Sequence, residues 1–164
     1  MKKIGILSDT HSFLHPEISR LFENCDEIWH AGDFGSIEVA AGLQSMKPLR
    51  GVFGNIDGIE IRVEFPLVNI FQCEEVKVLI KHIGGYPGKY DNAMKQTIQE
   101  FTPGLVICGH SHILKVMYDD KLNHLHINPG AAGRDGLHNV CTMIRLVVAG
   151  AALKDLEVIE LPKR

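Results

Sequence analysis

Apolar residues along this chain come in short blocks, and most blocks in its first two thirds end in a tip of aspartate, asparagine or histidine. "KIGILSD" at 3–9 predicts an interior strand, and Leu14, Ile18, Leu21 and Phe22 then recur at helical spacing. "DEIWHAGD" at 26–33 predicts a second strand and 36–46 a helix. "PLRGVFGNID" at 48–57 repeats the strand and its glycine-containing polar tip. Strand and helix alternate, which predicts the α/β class.

Beyond Gly58 the pattern changes to short strand candidates at 60–65, 67–72 and "VKVLIKH" at 76–82. Asp91 is an N-cap candidate for a helix with Met94, Ile98 and Phe101 on one face. "LVICGHSH" at 105–112 follows, then strand candidates at 113–118, 122–127, 139–148 and 152–161, the last pair joined around "AGAA". So many strands predict two packed sheets with helices outside rather than one doubly wound sheet.

A chain of 164 residues, 45% hydrophobic, is long enough for one domain spanning 1–164 with a substantial core. Its 17 basic and 20 acidic residues are mixed along the chain, so extended nucleic acid is not an expected partner. The opening apolar run reaches Asp9 too soon for a signal peptide or membrane span, which predicts a cytoplasmic protein that does not engage a membrane. Cys25, Cys73, Cys108 and Cys141 form no C-x-x-C pair and are expected as buried thiols. The oligomeric state stays open, a homo-oligomer included.

The polar tips, in order, hold Asp9 and His11, then Asp33, then Asn55 and Asp57, then His82, and finally His110 and His112. In α/β sheets ligands gather beyond the carboxyl ends of strands, so these tips predict one shared pocket. Read as an extended segment, "GHSH" points His110 and His112 the same way. Imidazole with carboxylate or amide oxygen suits divalent transition metals, and the absence of cysteine argues against a structural zinc site. Taken singly, Asp9 and Asp33 could be helix caps, Asn55 a turn residue and His82 a strand-end histidine. Together they are better explained by two neighbouring cations. His15, His124 and His138 are expected in helix starts, turns or loops, while His30 and His126 lie nearer strand ends, with an outer supporting role open to His30.

The motifs "DTH", "GD", "GN", "KH" and "GHSH", with "NPG" at 128–130, resemble the calcineurin-like metallophosphoesterases, and among them the small YfcE-type, Vps29-like phosphodiesterases. The resemblance implies a four-layer α/β/β/α sandwich of two mixed sheets. It implies that Asp9, His11 and His112 hold a first ion, that Asn55, His82 and His110 hold a second, and that Asp33 bridges them. The ions would be two divalent cations, manganese first, with nickel, cobalt, iron and zinc as alternatives. The implied activity is hydrolysis of a small phosphodiester by a metal-bridging hydroxide, with Asp33, Asn55 and His110 in the catalytic set.

Many relatives carry histidine as a proton donor after "GN", whereas this chain has Ile56, leaving Asp57 as the nearest candidate acid, although a capping or ligand-orienting role is the preferred reading of Asp57. In the loop "IGGYPGKY", Tyr86, Lys89 and Tyr90 are placed to border the pocket, and Arg134 could reach a phosphate. The alternative function is a catalytically weak, Vps29-like protein-binding scaffold, against which the retained His11 argues. No G-x-S-x-G motif supports a serine hydrolase.

Overall fold

A computed structural model describes residues 1–163. Its first half runs β1 (Lys2–Leu7), α1 (Ile18–Leu21), β2 (Glu27–His30), α2 (Ile37–Met46), β3 (Leu49–Gly51), α3 (Ile59–Arg62), β4 (Val68–Cys73) and β5 (Val76–Lys81). The second half runs α4 (Asn92–Phe101), β6 (Leu105–Ile107), β7 (Lys115–Asp119), β8 (His124–Asn128), β9 (Val140–Ala149) and β10 (Ala152–Pro162). The strands form two mixed sheets, ordered β10-β9-β1-β2-β3 and β4-β5-β6-β8-β7. β1, β2 and β3 are parallel in one sheet, and β5, β6 and β8 are parallel in the other.

The expected four layers follow from which faces are apolar. Ile4, Ile6, Trp29 and Val52 of the first sheet meet Val78, Ile80, Leu105, Ile107 and Ile127 of the second in a central core. The outer face of the first sheet packs on Ile18, Phe22, Val39 and Leu43, and that of the second on Met94 and Ile98 of α4. Parallel strands covered on both faces read as unbroken apolar runs, as β6 does with all of its residues buried. Cys25, Cys73, Cys108 and Cys141 are buried free thiols.

Three expectations need correction. The segment at 60–65 is not a strand: "IEIRVEF" alternates, but its buried members Ile61 and Phe65 are four apart, which is helical spacing, while Ile59 and Val63 are exposed. The helix expected from Leu14 shrinks to the single turn α1, because residues 10–16 form a loop that bonds to the Asp33–Phe34 backbone. Asp91 does cap α4, accepting from Met94 N at 2.7 Å, but Phe101 is 40% exposed and leaves the buried face to Met94 and Ile98.

One buried carboxylate lies among the three parallel strands of the first sheet. Glu27, buried, accepts from Lys2 Nζ at 2.8 Å, Trp29 Nε1 at 3.0 Å and Arg50 Nε at 2.8 Å. Burial works to raise its carboxyl, but these donors outweigh it and bring it down to about 2. A lowered folded-state value means stability that is present above the ordinary carboxyl range and is lost as pH falls from there toward 2. Glu27→Gln is expected to cost about 1–3 kcal/mol at neutral pH, discounted because Lys2 and Arg50 are partly in solvent. Its denaturation midpoint should also fall less steeply than wild type between about pH 4.5 and 2. Parallel acid-melting curves would refute this.

Candidate metal centre

All the polar tips project from the carboxyl ends of parallel strands: β1 gives Asp9 and His11, β2 gives Asp33, β3 gives Asn55, β5 gives His82 and β6 gives His110 and His112. The first three strands belong to one sheet and the last two to the other, so the tips meet where the sheets come together. The backbone there is strained. Asp9, His11, Asp33, His110 and His112 all have φ between 45° and 75°, the left-handed region that costs a non-glycine residue about 1–2 kcal/mol. β6 ends at Ile107, so His110 and His112 converge through these left-handed turns and not through the side-chain alternation of a strand.

The side chains form two groups, Asp9 with His11 and His112, and Asp33 with His82 and His110. Asp33 Oδ2 lies between them, 3.4 Å from His11 Nε2 and 3.2 Å from His82 Nε2. Asp9 Oδ1 is 3.2 Å from His112 Nε2 and 3.7 Å from His11 Nε2. Asn55 Oδ1 is 3.1 Å from His110 Nδ1. Asp9, Asp33 and His82 are buried, whereas Asn55 and His110 are exposed and mark the open side.

Each carboxylate is held by one oxygen and presents the other. Asp9 Oδ2 accepts from Ser8 Oγ and His110 N, and Asp33 Oδ1 accepts from Ile56 N. Among the described residues Asp9 Oδ1, His11 Nε2 and His82 Nε2 are buried without hydrogen-bond partners. His82 donates Nδ1–H to Ala31 O at 2.7 Å, which leaves Nε2 as the bare nitrogen facing the site. Unpartnered buried donor atoms of this kind, all directed to one place, fit divalent cations.

Electrostatics agree. Burial works to raise Asp9, but the neighbouring imidazoles of His11 and His112 hold it well below the usual carboxylate range. Burial is likewise outweighed at Asp33, which the adjacent His82 imidazole lowers. His11 is raised by the neighbouring Asp9 carboxylate, and His82 is raised by Asp33 and Asp9 despite burial. Charged carboxylates that draw protons onto imidazoles would equally attract cations, which would displace those protons.

Close approach explains two glycines. A Cβ on Gly32, whose φ is 102°, would sit 2.6 Å from His82 Nδ1, and one on Gly54 would sit 2.0 Å from Asp33 Oδ1. Behind them Asp57, 3% exposed, accepts from the backbone N–H groups of Asp33, Phe34, Gly35 and Gly54 at 2.8–3.2 Å. The sequence offered Asp57 either as the nearest proton donor or, in preference, as a capping or ligand-orienting residue, and the structure shows the second. Both of its oxygens are acceptors tied to the loops that carry Asp33 and Asn55, so the proton-donor alternative falls away. His30 is another support: Nδ1 accepts from Gly32 N, Nε2 donates to Thr10, and burial lowers the ring to about 3.

Tyr86 borders a cavity of about 140 Å³ beside His110, with Lys115 Nζ 4.1 Å over its ring. Arg134 instead lies exposed with its guanidinium 4.1 Å over the Phe13 ring. Lys89 is exposed, and Tyr90 turns inward to hydrogen-bond His124 and His126, a cluster that no sequence motif announced. A wider recess of about 450 Å³ lies on the other side, along His110, His112, Leu137 and His138. A separate hollow of about 380 Å³ by Tyr118 and Leu122 touches none of the seven ligand-type residues.

Residues 1–150 match the calcineurin-like phosphoesterase superfamily domain. A probable metallophosphoesterase of Methanothermobacter thermautotrophicus is 28% identical over 135 residues, which are 78% of this chain and 76% of that protein. An archaeal phosphodiesterase structure superposes with a TM-score of 0.76 at 27% identity, covering 97% of this chain and 99% of the other. Vps29 of Chaetomium thermophilum superposes over both whole chains with a TM-score of 0.77 at 15% identity, a likeness of fold alone. Among the described residues no helix is long and apolar enough to cross a membrane.

Proposed function

Since the chain belongs to the calcineurin-like phosphoesterase superfamily, we propose that it is a phosphodiesterase using two divalent cations, manganese first among them, on small diesters. The observation that carries this reading is Asp33 Oδ2, placed between two groups of nitrogen and oxygen donors. Asp9, His11 and His112 would hold one cation, Asn55, His82 and His110 the other, and Asp33 both. Nickel, cobalt, iron and zinc suit the same donors. Bound there, the cations would supply Lewis-acid charge and a lowered pKa for water.

The chain's own share is positional. Ser8, Ile56 N and Ala31 O fix which atoms of Asp9, Asp33 and His82 face the site, and Asp57 and His30 fix the loops behind them. The buried carboxylates keep their charge, and exposed Asn55 and His110 leave a mouth for a phosphate. A scaffold would not need all seven ligand types at one place.

The test is hydrolysis of bis(p-nitrophenyl) phosphate after reconstitution with each metal, and its loss on chelation; activity that resists chelation would overturn the reading. A leaving-group effect should accompany it. Ile56 is 47% exposed and donates only its backbone N–H, to Asp33, so no side chain there protonates a departing alkoxide. General acid assistance is worth about 10²–10⁴, so dialkyl esters should lag aryl esters by at least that factor. Ile56→His should raise the alkyl rate more than the aryl rate. Equal wild-type rates on both ester classes would sink the missing-acid argument.

A further inference from the structure

The cavity of about 140 Å³ beside His110 contains polar groups that hydrolysis does not use. Ile83, Tyr86, His110, Ser111, Lys115 and His126 line it. His126 is fully buried, and its Nε2 has no partner among the described residues. Its Nδ1 is 2.6 Å from the Tyr90 hydroxyl, which is also 2.9 Å from His124 Nε2. One hydroxyl has one proton, so it donates to one ring and accepts from the other. Hydroxyl donors make the shorter bonds and N–H donors bonds of about 2.9–3.0 Å, so Tyr90 donates to His126 and accepts from His124. His126, which lines the cavity, then carries its own proton on Nε2. Burial lowers this ring to about 4, so Nε2–H is a neutral donor.

The other polar groups are donors too. Ser111 Oγ accepts from Asn128 Nδ2 and Ile113 N, which leaves its O–H to give. Lys115 lies over Tyr86 and makes no ion pair among the described residues. Asn128 also lines the cavity, but its amide is engaged with Gly109 O, Ser111 Oγ and Gly130 N, and the volume is near the roughly 150 Å³ known to hold one benzene ring.

We propose that this cavity is a subsite for one arm of the diester and takes a single six-membered ring bearing oxygen acceptors, the chemistry of a uracil or thymine base, with His126 Nε2–H, Ser111 Oγ–H and Lys115 as donors. The amino group of cytosine would meet donors with a donor, and a two-ring purine is larger than the space. The role in catalysis rests on the phosphodiesterase reading; binding of the base does not.

Two measurements separate these. On titrating the full-length protein, metal-free and zinc-loaded, with thymidine 5′-monophosphate, the NMR signals of the His126 imidazole should move; deoxycytidine 5′-monophosphate should move them less and methyl phosphate not at all. In turnover, the preference in kcat/KM for thymidine 5′-(p-nitrophenyl phosphate) over methyl p-nitrophenyl phosphate should fall about tenfold in His126→Phe. Lys115→Met, at a half-exposed position, should lower the same ratio should His126→Phe not fold. Unmoved His126 signals, or a ratio unchanged in every folded variant, would overturn the subsite. Moved signals without turnover of any ester by any metal form would uphold the subsite and overturn the phosphodiesterase reading.

Discussion

Asp33→Asn is expected to lower kcat/KM on bis(p-nitrophenyl) phosphate by about a thousandfold or more, and to reduce bound metal from two ions toward one or none. Asparagine is the sharper substitution because residue 33 has a φ of 60°, which asparagine tolerates and alanine does not. It keeps an oxygen for Ile56 N and removes the charge that faces His11 and His82. Without metal the variant should melt modestly below wild type, because His82 favours the Asp33 carboxylate by more than burial and the charge of Asp9 disfavour it. With metal it should lack much of the thermal gain that a tightly bound ligand confers on wild type. Full activity at unchanged metal content would overturn the bridging role, and a large loss of stability without metal would mean that Asp33 acts through the fold.

How far this site could be read from the sequence depended on which physical rule was applied. That the tips after β1, β2, β3, β5 and β6 would meet followed from strand ends and residue type, and the structure brings Asp9, His11, Asp33, His82, His110 and His112 together. The route for His110 and His112 was not legible. Side-chain alternation needs extended backbone, whereas both residues are left-handed, a state that β6 and its glycine turn impose through tertiary bonds such as His110 N to Asp9. The segment after Gly58 misled for a related reason: β-branched residues alternate there, but burial of Ile61 with Phe65 decides the local structure. The Tyr90, His124 and His126 cluster joins a loop to a strand more than 30 positions away, a separation that no local pattern can encode.

At Asp57 the structure decides between the two roles the sequence left open, and Asp57→Ala is expected to be the most destabilising of the substitutions considered. It would strip the acceptors from four backbone N–H groups, three of them on the Asp33 loop and one at Gly54. Buried donors left unpaired cost about 1–3 kcal/mol each; with relaxation and water entry the sum should be about 3–5 kcal/mol. For a chain of this length that is about 10 °C in Tm. Asp57→Asn, which keeps one acceptor oxygen, should lie between. Activity should fall in both because Asp33 and Asn55 lose their placement, and it should fall by the same factor on aryl and alkyl esters. A proton donor would behave differently: its loss would spare the aryl ester, whose leaving group needs no proton, and cripple the alkyl one. A stable Asp57→Asn protein selectively defective on alkyl esters would therefore restore the catalytic role that four backbone hydrogen bonds now argue against.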